Sequence, residues 1–160
     1  MAEVGKRVLE SLERLDQTFE RIEIDPEYAD TADFCSKYGY KMDACGNTIV
    51  IASKSGPKRF SACVVRGVDR LDVNHTVRNL MEVSRISFAS PADTIELTGM
   101  EIGGVTVFNL PAHVPIYVDS KIAELDYVIL GSGDRSSKTK ISPQVFRKLG
   151  NVKVIKSLSM

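Results

Sequence analysis

Val8, Leu12, Leu15, Phe19 and Ile22 recur at spacings of four, three, four and three, which gathers them on one face of a helix. Glu10, Glu13, Arg14 and Glu20 fall mostly on the other face. Asp25-Pro26 ends the element, because proline disfavours helical geometry in the residue before it. The pattern thus predicts an N-terminal amphipathic helix within residues 1–25. A short second helix is expected from Thr31, a capping residue, to a stop at Gly39. The period then changes. Thr48 to Ala52 and Phe60 to Val65 are rich in β-branched residues and read as strands. Lys54-Ser55-Gly56-Pro57-Lys58 joins them as a hairpin with a basic tip.

Asn74 can cap a helix running to about Val83. Ser90-Pro91-Ala92-Asp93 is a clearer start, with a cap, a proline at the first helical position and an acid three residues after the cap. Gly99 stops that helix. Strands are expected at about Val105 to Phe108, Ile116 to Asp119 and Tyr127 to Leu130. Ser142-Pro143 repeats the cap-plus-proline start, Gly150 ends that helix, and Val152 to Ile155 forms a final strand. No internal repeat or low-complexity linker interrupts this order. It predicts a single domain over residues 1–160 of the α+β class: a mixed, barrel-like β-sheet flanked by helices.

Composition narrows the class. A chain of 160 residues can bury one proper core, and 43% hydrophobic with 26% charged residues excludes wholesale disorder. The longest apolar runs are too short to span a bilayer, and the first residues lack an apolar signal core. A cytoplasmic location with no membrane partner is expected. Cys35, Cys45 and Cys63 are odd in number and set in apolar stretches, so they read as buried free thiols. With only His75 and His113 beside them, neither a metal site nor a cofactor is implied.

The formal net charge of zero hides a segregation. Residues 1–36 carry −6, 37–70 carry +5, 71–134 carry −6 and 135–160 carry +7. If the two basic segments meet, they form a cationic face suited to phosphates; otherwise they are solvated separately.

Signatures of a protein nucleophile are missing. Ser132 sits in Gly-Ser-Gly, but Leu130 and Asp134 occupy the outer glycine places of a nucleophile elbow. His75 falls at a helix start and His113 in a proline-rich loop, and no phosphate-binding P-loop occurs. Gly103-Gly104-Val105 permits either a bend or close backbone approach by a ligand. Gly131-Ser132-Gly133 has the same ambiguity, and its N–H groups could face an anion or a carbonyl oxygen. Asp119, at a strand end, is either a helix cap or a group aimed into a site.

Taken together, Leu97 to Thr106, Pro115 to Asp119, the Gly67 to Leu71 turn, Ser87-Phe88-Ala89-Ser90 and Gly131-Ser132-Gly133 stand in the order seen in the YbaK/ProX family of aminoacyl-tRNA editing domains. The chain resembles that family from about Asp30 to Leu149. The resemblance implies a mixed barrel with flanking helices. It also implies a hydrolase of translation fidelity, a free-standing deacylase that cleaves the ester of a mischarged tRNA. Water attacks, the terminal ribose hydroxyl assists, and oriented dipoles stabilise the oxyanion. The implied partner is the tRNA acceptor end, with an aminoacyl-tRNA synthetase as a further candidate. By the same resemblance, Asn47, Gly103 and Gly104 take the catalytic places, and Thr48, Val105, Asp119, Gly131, Ser132 and Gly133 bind substrate.

Two departures stand out. Asn47 replaces the lysine that family members carry at the start of this strand, and Lys54 or Lys41 could compensate for it. Val107 and Asn109 replace a proline and a glycine after the double glycine, which implies a reshaped pocket floor. A catalytically silent binding protein of the same fold is the alternative reading, and a serine hydrolase using Ser132 a third.

Overall fold

The computed structural model describes residues 1–160. Helix α1 (Glu3–Arg14) leads into strand β1 (Phe19–Glu23), and α2 (Thr31–Tyr38) precedes the hairpin of β2 (Gly46–Ser53) and β3 (Phe60–Arg66). A π-helical turn at Val73–Val77 runs into α3 (Arg78–Met81), followed by β4 (Ile86–Phe88) and α4 (Pro91–Thr98). Then come β5 (Ile116–Asp119), α5 (Ser120–Ala123), β6 (Val128–Gly131), β7 (Ser137–Ile141), a 3-10 helix at Pro143–Lys148 and β8 (Val152–Ile155).

The strands form two sheets, ordered β1-β7-β6 and β4-β2-β3-β5-β8. The smaller sheet is antiparallel; in the larger, β5 runs parallel to both β3 and β8. A single bridge, Cys45 to Ile129, links the sheets without closing a barrel. Strand alternation explains the layering. Ala62 and Val64 of β3 face a core shared with Leu130 and Ile141 of the small sheet and with Val4, Val8 and Leu12 of α1. Cys63 and Val65, one residue out of phase, face a second core with Val77, Met81 and Leu158. A third cluster holds Phe34 and Cys35 of α2 against Cys45 and Ile129. All three thiols are buried and free. Burial pushes the Cys63 thiol up to about 12, and burial with the Cys35 contact does the same for Cys45.

The N-terminal helix is shorter than its apolar spacing predicts. It ends at Arg14, Asp16 adopts φ of +52°, and Phe19 to Glu23 is a strand paired with β7. Phe19 and Ile22 continue the helical period only by coincidence. Val105 to Phe108 is not a strand: Thr106, Val107 and Phe108 are buried in a turn that finds no strand to pair with. Asp72, not Asn74, caps the helical turn before α3, accepting from the His75 amide at 3.3 Å. At α2 the cap position belongs to Asp30 rather than Thr31, while the left-handed stop at Gly39 stands as expected. The Ser90 cap of α4 also matches, accepting from the Asp93 amide at 3.0 Å, with Gly99 ending the helix.

Candidate functional site

A cavity of about 390 Å³ opens where the edge of β2 meets the end of β6 and the start of β7. The β2 edge is available because β4 pairs only with Ile51 to Ser53. Just beyond that pairing, the Val50 carbonyl accepts from the Ala89 amide at 2.9 Å. In an antiparallel ladder alternate residues present their backbone groups to the same edge, so the Thr48 amide and carbonyl face that side too, toward the cavity. Asn47 turns its backbone to Val65 of β3, while its side-chain oxygen accepts from the Thr31 hydroxyl at 2.6 Å. That bond ties the first turn of α2 to the cavity wall.

The two glycine segments are packed on each other. Gly103 has φ of +93°, and a side chain there would strike the Arg135 guanidinium. A Cβ on Gly131 would lie 2.6 Å from the Val105 carbonyl oxygen, so only glycine allows this approach. The Gly133 amide donates to the Gly104 carbonyl at 2.7 Å, and the Glu101 amide donates to the Gly133 carbonyl at 2.9 Å. Arg135 then clasps the loop to the start of α2. Its Nη1 donates to the Ile102 carbonyl at 2.8 Å and to Asp30 Oδ1 at 3.1 Å, and its Nε donates to the Pro26 carbonyl at 3.1 Å.

Of the residues singled out in the sequence, Asn47, Thr48, Gly103, Val105 and Gly131 line the cavity. Four do not. Gly104 supports the loop from behind, against the Asp134 backbone. Asp119 is fully buried at the end of β5 and caps α5, accepting from the Lys121 amide at 3.2 Å. The Ser132 hydroxyl shares a 2.8 Å hydrogen bond with Thr139 in a crevice beneath α1, and Gly133 packs under Val8 of the same helix. Gly104 lies in a loop outside any strand, and Ser132 and Gly133 lie past the end of β6, where the chain passes under α1. His113 lies in a separate cleft with Tyr117, and His75 rests against Asp72. Val107 is buried in the core, and Asn109, with φ of +65°, accepts from Ser11 of α1, so neither shapes the cavity floor.

The residue that the sequence reading missed is Lys138. It lines the cavity on β7, opposite Gly131 in the strand register, and is only 7% exposed. Its Nζ donates to the Gly103 carbonyl at 3.0 Å, and the Phe34 ring lies 5.9 Å from it. Burial holds its pKa below the ordinary lysine range, with the Cys45 and Asp30 fields partly opposing. Neither Lys41 nor Lys54 lines the cavity. The only signal in the sequence was the acid-free basic tail that contains Lys138. The other basic segment comes close from outside: Lys58 of the hairpin tip pairs at 3.0 Å with Asp93 on α4, whose Pro91 and Thr94 form part of the cavity wall. At the mouth, Phe88 and Ile102 line the cavity yet stay 61% and 44% exposed.

The family model described as "Aminoacyl-tRNA editing domain" matches residues 25–149. Among solved structures, hypothetical protein APE2540 superposes with a TM-score of 0.84 at 23% identity, covering 96% of this chain and 99% of that one. A candidate trans-editing enzyme for prolyl tRNA synthetase superposes with a TM-score of 0.82 at 20% identity, covering 98% and 97%. The search of curated proteins returns no match. No helix is long and apolar enough to cross a membrane.

Proposed function

This chain belongs to the aminoacyl-tRNA editing domain family, and from that premise we propose that it is a free-standing deacylase that hydrolyses the ester of a mischarged tRNA in trans. One observation supports the reading most. The unpaired backbone edge at Thr48, the Gly103 loop and a single buried cation share one cavity. Its volume of about 390 Å³ belongs to the range of small-ligand sites, roughly 300–1,000 Å³. Backbone groups hold the aminoacyl moiety, and the donors beside it are already oriented when the ester enters.

Water attacks the ester carbonyl carbon, and the carbonyl π pair moves to oxygen. The tetrahedral species gives up a proton of the added water and collapses by expelling the ribose oxygen, which takes up that proton. A free amino acid and a free terminal hydroxyl leave. No serine or histidine of this chain is needed as nucleophile or base, consistent with the place of Ser132 beneath α1. The exposed Phe88 and Ile102 faces suit the unstacked terminal base of the RNA. The hairpin tip, with Lys54, Lys58 and Arg59, suits its phosphates.

The test is a panel of mischarged tRNAs, including proline tRNA charged with alanine and with cysteine, incubated with the purified protein while ester loss is followed. Faster release than the uncatalysed rate for at least one member is expected. Asn47 in place of the family lysine favours a second reading, a silent binding protein. Tight binding of charged and uncharged tRNA with no ester loss on any member would decide for it.

A further inference from the structure

Lys138 is buried, and it lacks an acidic partner. It is 7% exposed, yet no carboxylate forms an ion pair with it. Asp30, whose field reaches it, is engaged by Arg135 at 3.1 Å. An ammonium has three N–H donors, and one of them satisfies the Gly103 carbonyl at 3.0 Å. The others belong to a side chain that forms part of the cavity wall. A buried cation without a counter-charge is costly to keep, and such groups gather where a function uses them.

We propose that Lys138, arriving from β7, supplies the positive charge that the β2 position held by Asn47 does not, and that it stabilises the oxyanion formed during ester hydrolysis. The inference rests on the deacylase reading above. As water adds to the carbonyl carbon, the charge that develops on the carbonyl oxygen is met by an N–H of Lys138. The lysine keeps its proton throughout and is regenerated when the ribose oxygen leaves. Its bond to Gly103 fixes where the charge is held, since the residues on either side of Gly103 are themselves held, Ile102 by Arg135 and Gly104 by Gly133.

The experiment measures kcat and KM for wild type and Lys138→Met on the tRNA of the panel that wild type cleaves fastest, across pH and with uncatalysed hydrolysis subtracted. Removing one oxyanion donor is expected to lower kcat by about 100-fold or more, with KM changed by less than about threefold. The methionine variant should melt at the same temperature or higher, because an unpaired buried charge has been replaced by an apolar chain of similar length. In wild type, kcat should fall as pH rises, below the ordinary lysine value of about 10.4. An undiminished kcat in the variant overturns the role of Lys138 and leaves the deacylase reading intact. A rise in KM alone also overturns it, since the ammonium would then serve ground-state binding. Should the variant fail to fold, a wild-type kcat that stays flat through that pH range overturns it. Absence of ester loss by wild type on every member of the panel overturns both readings together.

Discussion

Gly131 sits so close to Gly104 that a Cβ on Gly131 would lie 2.7 Å from the Gly104 carbonyl oxygen. The obstructing atom belongs to the backbone, and its loop is held by the bond from Gly133 to Gly104. It cannot swing aside as a flexible side chain would. Gly131→Ala is therefore expected to displace the Gly103–Val105 segment, costing about 1–3 kcal/mol of stability. Deacylation should fall at least about tenfold through the misplaced Gly103. Urea unfolding and single-turnover hydrolysis check the two effects, and unchanged activity would disprove the close approach.

Phe88 separates binding from stability. At 61% exposed it contributes little to the core, so Phe88→Ala should change stability by less than about 0.5 kcal/mol. If the terminal base stacks on it, the loss is about 1–3 kcal/mol of RNA affinity. That is roughly a five- to 150-fold rise in Kd, read by fluorescence anisotropy with an uncharged tRNA. Equal affinity for wild type and variant would remove Phe88 from the RNA interface.

Ser132 supplies the opposite control. Its hydroxyl bonds to Thr139 at 2.8 Å beneath α1, out of reach of the cavity. Ser132→Ala should leave kcat and KM unchanged while costing about 1 kcal/mol, because the Thr139 hydroxyl loses its partner in a buried site. A loss of activity in the folded variant would bring back the serine-hydrolase reading.

Asp134 links pH to the docking of the first helix. Burial raises its pKa, but hydrogen bonds from the Ser136 hydroxyl and amide and from the Ala2 amide outweigh this and hold it below the ordinary carboxylate value. A depressed folded pKa means that the unfolded chain binds the proton more readily. The stabilisation is therefore fully present above the unfolded value of about 3.9 and is lost as pH falls below it toward the folded value. Asp134→Asn should be less stable than wild type at neutral pH, with the difference shrinking in acid. Thermal melts between pH 7 and the acid limit of folding check this, and parallel profiles would refute it.

Much of the local structure was legible because its causes are local. Ser90 with Pro91 starts α4, Gly39 and Gly99 end helices in the left-handed region, and the β-branched runs around Ile49 and Val64 form the hairpin. Phe19 to Glu23 was misread because its spacing fits a helix and only its pairing with β7 makes it a strand. Val105 to Phe108 was misread for the converse reason: β-branched residues find burial there without a strand partner.

The site divides along the same line. By itself, the sequence determined the glycines at 104 and 131, since a backbone that must pass another backbone closely admits no side chain, and it marked Asn47 as a departure. Its order of motifs was enough to indicate the family. Tertiary structure decided which members of each motif face the cavity, turning Thr48 and Gly131 inward while sending Ser132 beneath α1 and Asp119 to a helix cap. It alone brought Lys138 to Gly103, 35 residues away in the chain. Such a contact depends on strand register and on what the fold buries, and no local spacing of residues encodes either.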